Sequence, residues 1–124
     1  RARDFYQAAL APLGYSLYAE GNFGMNVVGF AYPDANESSG QKPDVWFVDG
    51  LSPFGGAPAT TGCHLAWRAQ TRAQVDAFYQ AAIAAGGRCN GAPGLRPHYH
   101  ANYYGAFVLD PEGNNIEAVC HLAE

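Results

Sequence analysis

Apolar residues recur at helical spacing in two segments of the chain. Those of the second segment follow the i, i+3, i+4, i+7, i+8 pattern of one helix face, at Val75, Phe78, Tyr79, Ala82 and Ile83. Thr71 and Gln74 precede the pattern with the spacing of a capping box. Gly86 and Gly87 follow it, where glycine commonly ends a helix. The pattern therefore predicts a helix that begins near Thr71 and ends before Gly86.

The first segment carries the same short word as the second. The pentapeptide FYQAA occupies residues 5–9 and again residues 78–82, and the flanking residues align without a gap. Phe5 and Ala9 take the apolar positions of a first helix, and Gly14 follows it. Two unrelated helices could converge on phenylalanine and alanine, but the matching flanks favour a duplicated structural unit.

Alternating apolar and polar residues predict strands around the second helix. Before it, the segment TGCHLAWRA at residues 61–69 alternates. After it, residues 102–122 fit two strands joined by a tight turn at residues 110–113, where Pro and Gly suit the turn. Between them, CNGAPGLRPHYH at residues 89–100 is rich in glycine and proline, and we expect this stretch to be irregular.

The first helix is followed by three strand-like runs, YSLYAE, NVVGFAY and DVWFVDG. Together the patterns predict an α+β fold of two βαβββ modules, which form a curved mixed sheet with the helices on its outside. Residues 1–52 are assigned to the first module, residues 53–62 to a connector and residues 63–124 to the second module, all within one domain. The first strand of the first module is missing from this chain, because it would lie before Arg1.

Strand alternation places two chemically active side chains on one face of the sheet. His64, Ala66 and Arg68 point one way on their strand, while Cys63, Leu65 and Trp67 point toward the helix. On the last strand Glu117 points away from the helix, as His64 does. An imidazole and a carboxylate on one sheet surface could form half of a divalent metal site.

Two ligands are too few for a complete site, and a plainer interpretation remains open. His64 could make a local hydrogen bond while Glu117 is a solvated strand residue. The duplication adds that the counterpart of His64 in the first module would precede Arg1. A third ligand could therefore lie upstream of these residues.

Composition narrows the function classes. The formal net charge is −4 with no cluster of Lys or Arg, which gives no electrostatic footprint for nucleic acid. No apolar run approaches the length of a membrane span. The three cysteines share no CxxC spacing, so neither a disulfide framework nor a thiolate zinc site is indicated. We expect a cytoplasmic protein with a small-molecule partner, without nucleic acid or membrane.

The strand pattern and the segment FVLDPEGNNIEAV at residues 107–119 resemble the vicinal oxygen chelate superfamily, which includes glyoxalase I, extradiol dioxygenases and bleomycin-resistance proteins. The resemblance implies that His64 and Glu117 are metal ligands and that the cofactor is one divalent ion, with Fe, Mn, Ni and Zn not distinguished. It implies a homodimer as well. The remaining histidine ligand of the family pattern is not contained in this sequence.

The stretch RPHYHANYYG, at residues 96–105, concentrates imidazole and phenol groups near the last strands. We expect His100 and Tyr103 to act with Glu117 as catalytic residues. Arg68, Tyr104 and Trp46 are expected to bind substrate. The alternative for the stretch is an exposed loop anchored by its aromatic residues, and for Arg68 an ion pair with a neighbouring acid.

Two classes of function remain. The first is a glyoxalase-like metalloenzyme, of lyase, isomerase or dioxygenase type, that acts on a small oxygenated substrate chelated to the metal. The second is a metal-free protein that binds a drug or metabolite, as bleomycin-resistance proteins do. The presence of both His64 and Glu117 favours the enzyme.

Overall fold

The computed structural model describes residues 1–49 and 63–124. The predicted connector and residues 50–52 of the predicted first module lie outside the described residues, so the division into modules stays a prediction. Helix α1 spans Ala2–Leu10 and continues into a 3₁₀ turn at Ala11–Leu13, and helix α2 spans Arg72–Ala84. The strands are β1 Ser16–Asn22, β2 Asn26–Pro33, β3 Gln41–Val48, β4 His64–Arg68, β5 Arg88–Leu95, β6 Tyr104–Leu109 and β7 Asn115–Cys120.

The described residues form two compact units. One unit contains Arg1–Leu13 together with residues 63–124, and the other contains residues 14–49. In the first unit the strand order is β4-β7-β6-β5, with β4 parallel to β7 and the other neighbours antiparallel. In the second unit β1, β2 and β3 form an antiparallel sheet. The predicted α+β class with mixed sheets is confirmed.

Helix α2 begins and ends where the sequence predicts. The Thr71 hydroxyl accepts a hydrogen bond from the Gln74 amide at 3.1 Å, as an N-cap does. The Gln74 side chain reaches back to the amide of Gln70, at 2.7 Å, one residue earlier than a capping box requires. At the other end Gly86 takes a φ of +102°, a left-handed conformation that glycine adopts without steric cost.

The repeated pentapeptide supplies core residues of a single unit. Phe5 and Phe78 are 1% and 0% exposed, and the alanines four residues later in each copy are fully buried. An added Cβ at Gly87 would lie 2.9 Å from the Phe5 ring and 2.5 Å from the Val108 side chain. Helix α1 therefore packs in the same unit as α2 and β6, although it belongs to the first copy of the repeat.

The prediction that residues 89–100 are irregular is wrong for most of their length, because β5 forms there. The strand pairs with β6, and its register shifts between Cys89 and Gly91 and again between Gly91 and Gly94. Bulges of this kind are favoured by glycine. Pro93 lacks an amide donor but is tolerated because β5 is an edge strand. The glycines and the proline interrupt the alternation of apolar and polar residues, so the sequence of this segment does not look like a strand.

The turn between β6 and β7 is built on the buried carboxylate of Asp110, which is 4% exposed. It accepts hydrogen bonds from the amides of Glu112 and Asn114, at 2.9 and 2.8 Å, and from the Asn114 side chain at 3.0 Å. The Tyr6 hydroxyl of α1 donates to the same carboxylate. The turn and the first helix are thus joined through one acidic side chain.

Among the described residues, no helix has the length and apolar character needed to cross a membrane.

Candidate functional site

His64 and Glu117 are brought together by the pairing of β4 with β7. In this parallel register Ala66 lies opposite Glu117, so His64 sits two residues before that row on the same face. The distance from His64 Nε2 to Glu117 Oε2 is 3.1 Å. The two residues that the sequence singled out as metal ligands are therefore direct neighbours.

Glu117 is buried although it points away from the helices. The residue is 2% exposed, so the alternative of a solvated strand residue is wrong. Its Oε1 accepts a hydrogen bond from the Tyr103 hydroxyl, while Oε2 faces His64. An added Cβ at Gly105 would lie 3.1 Å from the Tyr103 ring and 3.4 Å from Glu117 Oε1, so the missing side chain makes room for the phenol.

The Tyr103 phenol is held in its neutral form. Burial, and then its hydrogen bond to Glu117, raise the pKa of Tyr103 above the ordinary value of 10.0. The phenol therefore remains protonated through neutral pH and donates to Glu117. It can act as a hydrogen-bond donor but not as a phenolate base at neutral pH.

A cavity of about 450 Å³ opens over this pair. Its size falls within the range of small-molecule sites. The lining contains two imidazoles and a carboxylate, which can exchange protons, and three aromatic rings. Its residues are His64, Tyr99, His100, Tyr103, Phe107 and Glu117. The structure thus brings His64, Glu117, His100 and Tyr103 to one cavity. Tyr99 belongs to the stretch at residues 96–105 but was not favoured for the site. Phe107 was missed, although it lies opposite Glu117 in the antiparallel register of β6 and β7.

His100 forms a pair with His121, which follows the end of β7. Their ring nitrogens, Nε2 of His100 and Nδ1 of His121, are 2.8 Å apart. The ring centroid of Tyr103 lies 5.4 Å from that of His100 and 5.3 Å from that of His121. His121 is exposed but contacts two residues of the cavity lining, His100 and Tyr103.

The predicted substrate-binding residues differ in their surroundings. Arg68 lines a second cavity, described below, and not the first. Tyr104 lies on the helix side of the sheet, where its hydroxyl donates to Asp76 at 2.7 Å and its ring lies under Arg72. Trp46 belongs to the other unit, where it is 49% exposed. There its ring lies so close to Gly29 that a Cβ on that residue would approach it to 2.5 Å.

The donor set suits a divalent transition metal but supplies two ligands. Imidazole nitrogen and carboxylate oxygen are common ligands of zinc, iron, manganese and nickel. Within residues 1–49 and 63–124, no group of three His, Cys, Asp or Glu side chains is arranged to hold a metal ion. His64 and Glu117 therefore fit one side of a coordination sphere whose other positions are open to water, substrate or a further donor.

A parallel β4–β7 pair in a mixed sheet, with a helix over one face, is consistent with a glyoxalase-type fold. The family model described as the Glyoxalase/Bleomycin resistance protein/Dioxygenase superfamily matches residues 1–118. The chain belongs to this superfamily. No curated protein sequence matches the chain.

Several solved structures are similar to this chain. A glyoxalase/bleomycin resistance protein from Albidiferax ferrireducens T118 is 32% identical, with a TM-score of 0.67, and the match covers 96% of this chain and 86% of that one. A family enzyme from Burkholderia phytofirmans PsJN is 24% identical over 97% of this chain and 87% of its own, with a TM-score of 0.62. A lactoylglutathione lyase from Agrobacterium tumefaciens is 21% identical, covering 96% and 82%, with a TM-score of 0.55. The last two similarities show the fold.

Replacing Tyr103 with phenylalanine is expected to lower the free energy of unfolding by about 1–2 kcal/mol, because the buried Glu117 loses a donor. The pKa of Tyr103 is raised in the folded protein, so its proton contributes stability below pH 10 that is lost as the pH rises through the folded pKa. Urea unfolding of the wild-type protein and of Tyr103→Phe at pH 7, 9 and above 10 measures the difference in their free energies of unfolding. A difference that grows above pH 10 would contradict the assigned donor role.

Proposed function

We propose that this protein is a glyoxalase-like, divalent-metal-dependent enzyme that acts on a small substrate with adjacent oxygen atoms. The observation that carries the proposal is the contact between His64 and the buried Glu117, 3.1 Å apart at the cavity. A buried carboxylate is costly unless it is paired or binds a cation. Its position beside an imidazole, with open space in front, is the arrangement that a catalytic metal site requires.

His64 Nε2 and Glu117 Oε2 would hold the cation. A bound divalent cation would act as a Lewis acid on the substrate oxygens. The chain itself supplies the rest of the site. Tyr103 fixes Glu117 through Oε1, which leaves Oε2 to face the cavity.

Substrate orientation and proton transfer fall to the other lining residues. The rings of Tyr99 and Phe107 exclude water from the apolar part of a substrate. His100 is the lining residue suited to proton transfer near neutral pH, because imidazole both donates and accepts under these conditions. This arrangement fits lyase, isomerase and dioxygenase chemistry, which share a chelated substrate.

A metal-free binding protein is the second candidate, and one observation favours it. Both oxygens of Glu117 already have partners within the chain, Tyr103 and His64. The carboxylate can therefore be satisfied without a cation, and the aromatic cavity would then hold a planar metabolite or drug.

Metal content distinguishes these two candidates. Elemental mass spectrometry on protein purified without chelator is expected to find near-stoichiometric divalent metal, with content strongly reduced in His64→Ala and Glu117→Ala. His98→Ala is the control, because His98 is a histidine outside the cavity lining. Circular dichroism checks that each variant folds. Wild-type protein that stays empty after loading with Fe, Mn, Ni and Zn would overturn the metalloenzyme proposal.

A further inference from the structure

A second cavity of about 340 Å³ lies where β4 and β7 end. It is lined by Arg68, Ala69, Gln70, His121 and Leu122. His121 therefore lines this cavity, while His100 lines the first cavity. The ring nitrogens of the two histidines are 2.8 Å apart, so the linings of the two cavities are in contact. Both cavities belong to the same compact unit.

The lining of the second cavity is cationic. No carboxylate is among its lining residues. Within the part of the chain that the structure describes, Arg68 makes no ion pair or side-chain hydrogen bond. The guanidinium of Arg68, which has no ion pair among the described residues, and the imidazole of His121 thus line one cavity. These groups form a ready site for an anion.

We propose that this cavity binds a carboxylate of the substrate, so that the substrate is a small oxygenated acid. The proposal rests on the proposed function only for the position of the reacting end, at Glu117. A monoanionic carboxylate suits the site better than a dianionic phosphate, because a single guanidinium balances one negative charge and can bind the carboxylate through two parallel hydrogen bonds. A dianionic phosphate would call for more positive charge than one arginine supplies.

The strand register indicates the scale of this substrate. Arg68 lies opposite Val119, two residues beyond Glu117 along β7. Two residues of strand span about 7 Å. This spacing suits a substrate whose carboxylate and adjacent oxygens are substituents on opposite sides of one six-membered ring, since the long arginine side chain can adjust to the exact distance.

Calorimetric titration with a matched pair of ligands tests the proposal. The probes are 3,4-dihydroxybenzoate and its neutral analogue 3,4-dihydroxybenzamide, each titrated into metal-stripped and metal-loaded protein. We expect the acid to bind about tenfold more tightly than the amide, and Arg68→Gln to remove that preference without weakening the amide. His121→Asn is expected to reduce the preference about threefold.

Arg88→Gln is the matched control, since Arg88 is an exposed arginine on the edge strand β5. It should retain the full preference, and thermal unfolding checks that Arg68→Gln is folded. If the acid binds no better than the amide, or neither binds, the carboxylate site is overturned. Stronger competition by inorganic phosphate than by acetate would overturn the choice of carboxylate. Metal-stripped protein keeps this test separate from metal dependence.

Discussion

Replacing Asp110 with alanine is expected to lower the free energy of unfolding by about 3–5 kcal/mol. The substitution removes an acceptor that is 4% exposed, so that each of its donors loses this hydrogen bond. Those donors are the Tyr6 hydroxyl, the amides of Glu112 and Asn114, and the Asn114 side chain. Chemical denaturation monitored by circular dichroism measures the loss.

Two comparisons show whether burial and donor number cause this effect. Asp34 caps an exposed turn through one hydrogen bond to the amide of Asn36, so Asp34→Ala should cost less than about 1 kcal/mol. Tyr6→Phe removes one of the donors to Asp110 and should cost about 1–2 kcal/mol, with a reduced effect in the Asp110→Ala background. Equal losses for Asp34→Ala and Asp110→Ala would contradict the assigned role of the turn.

Phe78→Ala is expected to destabilise the protein by about 3–5 kcal/mol, because it removes a fully buried aromatic ring and leaves a cavity beside α2. The corresponding change in the first copy, Phe5→Ala, should cost a similar amount, since Phe5 is 1% exposed. Thermal and urea unfolding of both variants provide the measurement.

The pentapeptide supplies its own control. Gln80 lies two residues after Phe78 in the same helix but is exposed, and Gln80→Ala should change stability by less than about 0.5 kcal/mol. A Phe78→Ala variant as stable as Gln80→Ala would show that the repeated word is not part of the core.

Periodicity sufficed to predict the helices and the facing of His64 and Glu117. The apolar face of α2 and the alternation of β4 and β7 each depend on local spacing, which the sequence displays directly. The strand at residues 89–95 was not predicted, because glycine and proline interrupt the alternation on which strand prediction depends. The strand forms because it pairs with β6. Such pairing depends on the whole fold, so local sequence does not reveal it.

Alternation could also have separated the two adjacent tyrosines. Phe107 lies opposite Glu117, so Gly105 and Tyr103, in steps of two residues, share its face, while Tyr104 points to the helix. The role of His121 could not be deduced in this way. It depends on a contact with His100, a residue 21 positions earlier in a loop, and no local pattern encodes such a distance.

The placement of α1 also determines whether the chain can be divided into two independently folding fragments. Phe5, in the first copy of the repeat, lies beside Gly87 in the second, and the Tyr6 hydroxyl donates a hydrogen bond to Asp110 in the turn of the second copy. A polypeptide consisting of the second copy alone would lack a helix of its own core. Two fragments cut between the copies would have to reassociate to restore that core. The core of this unit thus depends on residues from both copies of the repeat.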